Sequence, residues 1–238
     1  MKAEPLTVLY EDNDILVCIK PAGIASESSG VSSGDLVSMI KTYLVKSRPG
    51  HEPYLGVIHR LDEPVRGILV FALDPAAAAN LSRQVQSDEM GKYYTATVHG
   101  NIESVTMKSP EIIKASDGSI QLTHYLIKDS RKSMACVVNE GRKGPDGKIA
   151  KAARLSYRML SYDSTDDTST LRITLYTGRF HQIRAQLSAI GHPILGDVKY
   201  GGCIPEGGAK SQIALCADEL HFKHPATGKQ MTFSLDEI

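Results

Sequence analysis

The sequence predicts an α+β protein built around a large, mostly antiparallel mixed sheet, and three observations carry that reading. Short β-branched and aromatic segments recur along the 238 residues, most of them bounded by Gly, Pro, Asp or Asn. Only about three main stretches combine a helical apolar period with a cap signal. No internal repeat of solenoid period is present.

LTVLY (6–10) and DILVCIK (14–20) read as the first two strands, joined by a short acidic turn. SSGDLVSMIKTYLVKS (32–47) places apolar residues at 36, 37, 39, 40, 44 and 45 behind a Ser/Asp cap, which predicts a helix. GILVFAL (67–73) is a further strand, and DPAAAANLSRQVQSDEM (74–90) opens with an N-cap aspartate and a proline at the first helical position. YYTATVHG, MACVVN, ARLSYRML and STLRITLYT read as strands. HQIRAQLSAIG (181–191) is a helix ending at Gly191, and KQMTFSL closes the series as a strand. Loops are expected at KASDGS, GRKGPDGK, SYDSTDDTST and GGCIPEGGAKS (201–211). None has the composition of a flexible linker, so residues 1–238 are expected to form a single domain of two lobes.

Composition narrows the class. Hydrophobic residues make up 42% and charged residues 23%, the values of an ordinary globular protein. No apolar run reaches the roughly 18 residues of a membrane span, and MKAEPLTVLYEDND lacks the basic-then-apolar order of a signal peptide. These features predict no membrane association and a cytoplasmic location. Cys18, Cys136, Cys203 and Cys216 are widely spaced and form no CxxC pair, which predicts buried free thiols. His59, His181, His192, His221 and His224 match no familiar ligand spacing, so no metal is expected.

Net charge is zero, yet the charge is segregated. Residues 141–160 hold six bases against one acid, and residues 170–200 hold Arg172, Arg179, Arg184 and Lys199 against Asp197 alone. A local basic surface and a solvated mixed-charge face both satisfy that pattern.

Four segments carry the candidate chemistry: KPAG (20–23), HRLDEPVRGILVFA (59–72), KYYTATVHG (92–100) and LYTGRFHQIRAQLSAIGHPILGDVKYGG (175–202). Their motifs, HRLD before a glycine and an apolar strand, K-x-Y-x-A, TGR-x-HQIR, GHP and GD-x-x-Y, resemble those of the RluA-type RNA pseudouridine synthases in order and spacing. ELHFKHPATGK matches the closing segment of that family.

The resemblance implies the pseudouridine synthase fold, with an active-site cleft between its two lobes. It implies an isomerase that converts uridines of structured rRNA or tRNA to pseudouridine without a cofactor. Asp62 would be the catalytic carboxylate, either as a nucleophile at the anomeric carbon or as a base at the 2′ carbon. Tyr94 would stack on the target base and assist its proton transfer, and Arg184 would supply the cation that keeps a desolvated carboxylate ionised. Arg60 would enter the RNA stack in place of the extruded base. Ile183 would border the uracil pocket, Arg179 and His181 would order the motif or meet phosphates, and His59 and Lys92 are further candidates for binding the substrate. Lys20 and Lys92 read equally as phosphate contacts and as solvated surface.

One departure concerns Val65 and Arg66, which stand where most relatives carry Thr-Ser, and it bears on RNA contacts rather than on catalysis. No stretch ahead of Leu6 has the length of an S4-like domain, so target recognition is expected of the catalytic domain, acting as a monomer. An RNA-binding or RNA-folding protein with secondary catalysis is the alternative. A glycosidase pairing Asp62 with Glu63 is disfavoured, because neighbours on an extended chain face opposite ways.

Overall fold

The computed structural model describes residues 6–28, 34–48, 50, 52–104, 112–204 and 212–235. The chain divides into two compact units: residues 1–92 with 216–238, and residues 93–215. Ser32 and Ser33 of the expected first cap, and residues 205–211 of the expected GGCIPEGGAKS loop, lie outside the described residues.

The first unit contains β1 (Thr7–Glu11), β2 (Ile15–Lys20), α1 (Leu36–Ser47), β3 (Gly56–Val57), β4 (Arg66–Ala72) and α2 (Pro75–Gln86), and it ends with β11 (Leu215–Lys223) and β12 (Gln230–Ser234). β1 pairs β2, β2 and β3 pair β4, and β11 pairs β12, all antiparallel. β4 and β11 run parallel, with Ala217 opposite Gly67.

β2 is buried at all six positions, as its unbroken apolar run requires of a central strand. The two helices start where the sequence places their caps. Asp35 accepts the Ser38 amide at 2.7 Å, and Asp74 accepts those of Ala76 and Ala77 at 2.8 and 3.0 Å. Each such cap stabilises its helix by about 1 kcal/mol. The core joins Ile15, Val17, Ile68 and Val70 to Ala77 and Leu81 of α2 and to Leu220 and Phe222 of β11.

The second unit contains β5 (Gly91–His99), β6 (Ile112–Lys114), β7 (Ile120–Asp129), β8 (Met134–Val138), β9 (Lys151–Asp163), β10 (Thr168–Leu175) and α3 (Gln182–Ala189). Its strands follow the order β5-β10-β9-β7-β6, with β8 on β7, and every one of these pairings is antiparallel. Ala185 of α3 and Tyr200 pack with Leu126, Ala135 and Ala153 of the sheet. The architecture is α+β with a large, mostly antiparallel mixed sheet, as the segment pattern predicts.

The cysteines correct one expectation. Cys18 is buried and its thiol is pushed up to about 12 by desolvation, but Cys136 and Cys203 are exposed. Cys136 follows buried Ala135 on β8, so strand alternation turns it outward. Among the described residues, no helix is long and apolar enough to cross a membrane.

Candidate active site

The stretch from His59 to Val65 links β3 to β4. Leu61 is buried and is gripped at both backbone groups by the Ser26 hydroxyl, which donates to its carbonyl at 2.8 Å and accepts its amide at 3.0 Å. Arg60 and Asp62 flank this anchor, the first exposed and the second half-buried. The chain then turns, the Val65 amide donating to the Asp62 carbonyl at 3.0 Å.

Behind the turn lies KPAG. The Gly23 amide donates to the Glu63 carbonyl at 2.8 Å, and Lys20 Nζ donates to the same carbonyl at 3.0 Å. Lys20 Nζ also donates to the carbonyls of Pro21 and Ile24, each at 2.8 Å. One ammonium thus gathers three backbone oxygens, and all three of its N–H groups are used. Desolvation lowers Lys20 to about 8, against the opposing charges of Asp62 and Glu63, so it stays protonated at neutral pH.

The solvated-surface reading of Lys20 and Lys92 does not hold, because both side chains are buried. Lys20 is a brace for the turn that carries Asp62. Lys92 sits on the inward face of β5, its pKa lowered by burial against the charge of Asp88.

His59 accepts the Val70 amide at Nε2, 3.4 Å away. Desolvation, with the charge of Lys92 second, holds it down to about 3, so it is a neutral acceptor that fixes the approach to β4. Arg60 Nη1 lies 3.6 Å from Glu27 Oε2, and both side chains are well exposed. Such a pair contributes about 0–1 kcal/mol and leaves Arg60 able to reorient.

Gly67 follows where no side chain fits. A Cβ there would stand 2.4 Å from both the Cβ and the carbonyl oxygen of Ala217. The Val65-Arg66 departure also becomes legible, since Val65 is buried and Arg66 faces outward at the start of β4.

In the second unit, β5 alternates strictly. Tyr94 shares its buried face with Ala96 and Val98, while Tyr93 faces the other way beneath the Arg172 guanidinium, 5.3 Å from its ring.

The TGRFHQIR segment is tied by Gln182, whose Oε1 accepts the Thr177 hydroxyl at 2.7 Å and the Arg179 amide at 3.0 Å. Gln182 Nε2 donates to the Arg154 carbonyl at 3.1 Å. Arg179 is exposed and its Nε donates to the Ala152 carbonyl at 3.0 Å. His181 enters α3 in the left-handed region at φ 48°, a conformation that costs a non-glycine residue on the order of 1 kcal/mol.

Ile183 and Arg184 are buried in the first turn of α3. Arg184 is clamped by Asp197, Nε to Oδ2 at 2.6 Å and Nη2 to Oδ1 at 2.8 Å, with the two side chains 6% and 1% exposed. The Tyr200 ring lies beneath the guanidinium, 5.0 Å from its centre. The Tyr200 oxygen accepts the Ala135 amide at 2.7 Å and lies 3.0 Å from His181 Nδ1. Burial, reinforced by the charges of Arg184 and Lys199, holds His181 down to about 3, so the imidazole is neutral.

Of the expected site residues, His59, Arg60, Asp62 and Lys92 fall in the first unit, and Tyr94, Arg179, Ile183 and Arg184 in the second. Sequence reasoning missed Ser26 and Gln182, the bracing role of Lys20, and Asp197 with Tyr200. Asp197 had a signal, being the sole acid among the four bases of residues 170–200. GD-x-x-Y is thereby explained: a left-handed Gly196, φ 84°, delivers Asp197 to Arg184, and Tyr200 packs beneath the guanidinium.

Asp12, Asp14 and His224 bring ligand-type atoms within 4.8 Å of one another. His224 Nδ1 accepts the amides of Ala226 and Thr227, at 3.3 and 3.2 Å, which puts the proton on Nε2, 2.7 Å from Asp12 Oδ2. The group is a hydrogen-bonded clasp, with its histidine turned away from metal-binding tautomers.

A family profile described as RNA pseudouridylate synthase matches residues 14–189, which spans both HRLD and TGRFHQIR. The chain belongs to that family. It is an isomerase that acts on RNA. An uncharacterized RNA pseudouridine synthase of Chlorobaculum parvum is 33% identical to it over 97% of this chain and 70% of its own length. The dual-specificity RNA pseudouridine synthase RluA of Haemophilus influenzae is 33% identical over 96% of this chain and 92% of its own. The human RNA pseudouridylate synthase domain containing 4 superposes with a TM-score of 0.70 at 21% identity, covering 96% of this chain and 87% of that one, and so shares the synthase fold.

Proposed function

We propose that this synthase isomerises uridines in structured rRNA or tRNA, with Asp62 as the reacting carboxylate. The carrying observation is the double tether of the Asp62 turn, by Lys20 and Gly23 at Glu63 and by Ser26 at Leu61. A carboxylate needs that kind of fixed backbone to meet a sugar carbon in one geometry.

In the reaction the N1–C1′ bond breaks, the base turns, and a C5–C1′ bond forms. C5 gives up its proton and N1 gains one, so there is no net redox change and no energy source is consumed. Asp62 acts on the sugar, either as a nucleophile at C1′ or as a base at C2′. Tyr94 stacks on the uracil and takes part in the proton transfer, beside Ile183. Arg184, two of whose five donors are taken by Asp197, supplies fixed positive charge at the reacting centre. Arg60, weakly held by Glu27, fills the space the extruded base leaves. Arg179 and neutral His59 set the motifs that meet RNA. The reading places the enzyme in the cytoplasm as a monomer that needs neither metal nor cofactor.

The test has two parts. Pseudouridine mapping of cellular RNA with and without this gene should lose one or a few sites, which names the substrate. Purified Asp62→Asn should then bind that RNA and form no pseudouridine. Turnover by Asp62→Asn would remove Asp62 from the chemistry.

A further inference from the structure

We propose that the second unit carries a subsite for a single-stranded nucleotide of the substrate RNA other than the target uridine, centred on Phe180. The proposal rests on the RNA-acting function stated above. Phe180 fills the variable position of TGR-x-HQIR with a large ring, 37% exposed, in a segment otherwise committed to internal ties. It borders a groove of about 390 Å³ lined also by Lys128, Lys148, Lys151, Arg179 and Ile149. Ile149 is 58% exposed and offers a second apolar surface. Four cations face one carboxylate, Asp146, and that one is paired with Lys148 at 3.1 Å. An aromatic plate among cations suits a base with its phosphate.

The ring is held rigid. The His181 imidazole stacks on it at 3.8 Å and 19°, and His181 is itself fixed to Tyr200. The Lys128 ammonium stands over the ring 4.5 Å from its centre, and two groups so close cannot share one face. Lys128 therefore covers the face that a base would use. A cation over an exposed ring is worth about a twofold to fivefold factor in an equilibrium, and a stacked base about fivefold to a hundredfold or more. The base displaces the ammonium, and the freed Lys128 meets the adjoining phosphate.

The hairpin that carries Lys148 is ordered for this use. Gly144 donates to the Lys148 carbonyl at 2.8 Å, and Ala150 to that of Arg142 at 2.8 Å.

The experiment measures binding of a fluorescein-labelled oligouridylate of about ten nucleotides to wild type, Phe180→Leu, Phe180→Tyr and Lys128→Gln/Lys151→Gln. It also measures the KM and kcat of each protein for pseudouridine formation in bulk cellular RNA. Phe180→Leu should weaken binding about tenfold and raise KM while kcat holds, and Phe180→Tyr should restore both. The double lysine variant should flatten the salt dependence of binding by roughly 0.7 per lost phosphate contact. A thio-substituted uridine in the oligonucleotide should crosslink under ultraviolet light within residues 178–181 or at Lys128.

Wild-type affinity and KM in folded Phe180→Leu would overturn the subsite while leaving the synthase assignment standing. If wild type made no pseudouridine and bound no RNA, the assignment itself would fall, and the subsite with it.

Discussion

Replacing Asp197 by Asn keeps the volume of the side chain and removes its charge, which isolates what the buried pair with Arg184 does. The pair has two bonds, at 2.6 and 2.8 Å, and side chains only 6% and 1% exposed. At an effective dielectric of about 20 and charge centres about 4 Å apart, the attraction is roughly 4 kcal/mol. Without it a buried guanidinium faces a neutral amide, and losing one charged partner of a buried pair costs about 3 to 5 kcal/mol. At this chain length that corresponds to a fall in Tm of about 6 to 20 °C. Arg184→Met should cost a similar amount by stranding Asp197, whereas Arg184→Met/Asp197→Leu should recover most of the stability and none of the activity. Urea unfolding followed by circular dichroism gives the midpoints and m-values for all three variants. Pseudouridine formation gives their activity. If both single variants unfolded within about 0.5 kcal/mol of wild type, the pair would not be the dry, coupled unit its geometry describes.

Tyr94→Phe should keep most RNA affinity and lose nearly all turnover, as seen in parallel binding and single-turnover assays; normal turnover would leave only stacking to Tyr94. Lys20, lowered to about 8 against an ordinary 10.5, should act on stability and activity in opposite senses. The folded state binds this proton less tightly than the unfolded state, so the contribution is full above the ordinary value and is lost as pH falls through about 8. Between those limits, the stability of wild type relative to Lys20→Met should rise with pH. Over the same range kcat/KM should decline, because a neutral amine can donate to only two of its three carbonyls. A pH–rate profile flat from 7 to about 10 would refute the brace. Gly67→Ala must displace the Ala217 backbone from 2.4 Å and should cost about 3 kcal/mol or more, read as a lower urea midpoint.

The sequence announces best what depends on local pattern. LTVLY, DILVCIK and GILVFAL became β1, β2 and β4, and Asp35 and Asp74 cap the helices that follow them. β7 and β11 were harder to read, because each sets a polar residue, His124 or Asp218, on its buried face and so breaks the apolar alternation. The two-residue β3 and three-residue β6 are too short to carry a period. For the site, motif order led to Asp62, Tyr94 and Arg184 as candidates. What holds them depends on pairs distant in sequence, Lys20 with Glu63 and Arg154 with Gln182, which no local spacing encodes.

The division of the chain also orders its synthesis. The second unit occupies one unbroken stretch, so the antiparallel pairings among β5, β10, β9, β7, β6 and β8 can form while the first unit still lacks β11 and β12. The inserted unit can settle early, by antiparallel closures between near neighbours in the chain. The opening unit waits, its β4 edge unfilled at Gly67, for a strand translated after the whole insertion. A nascent chain therefore carries its arginine clamp before the turn that holds Asp62 has a finished sheet beneath it.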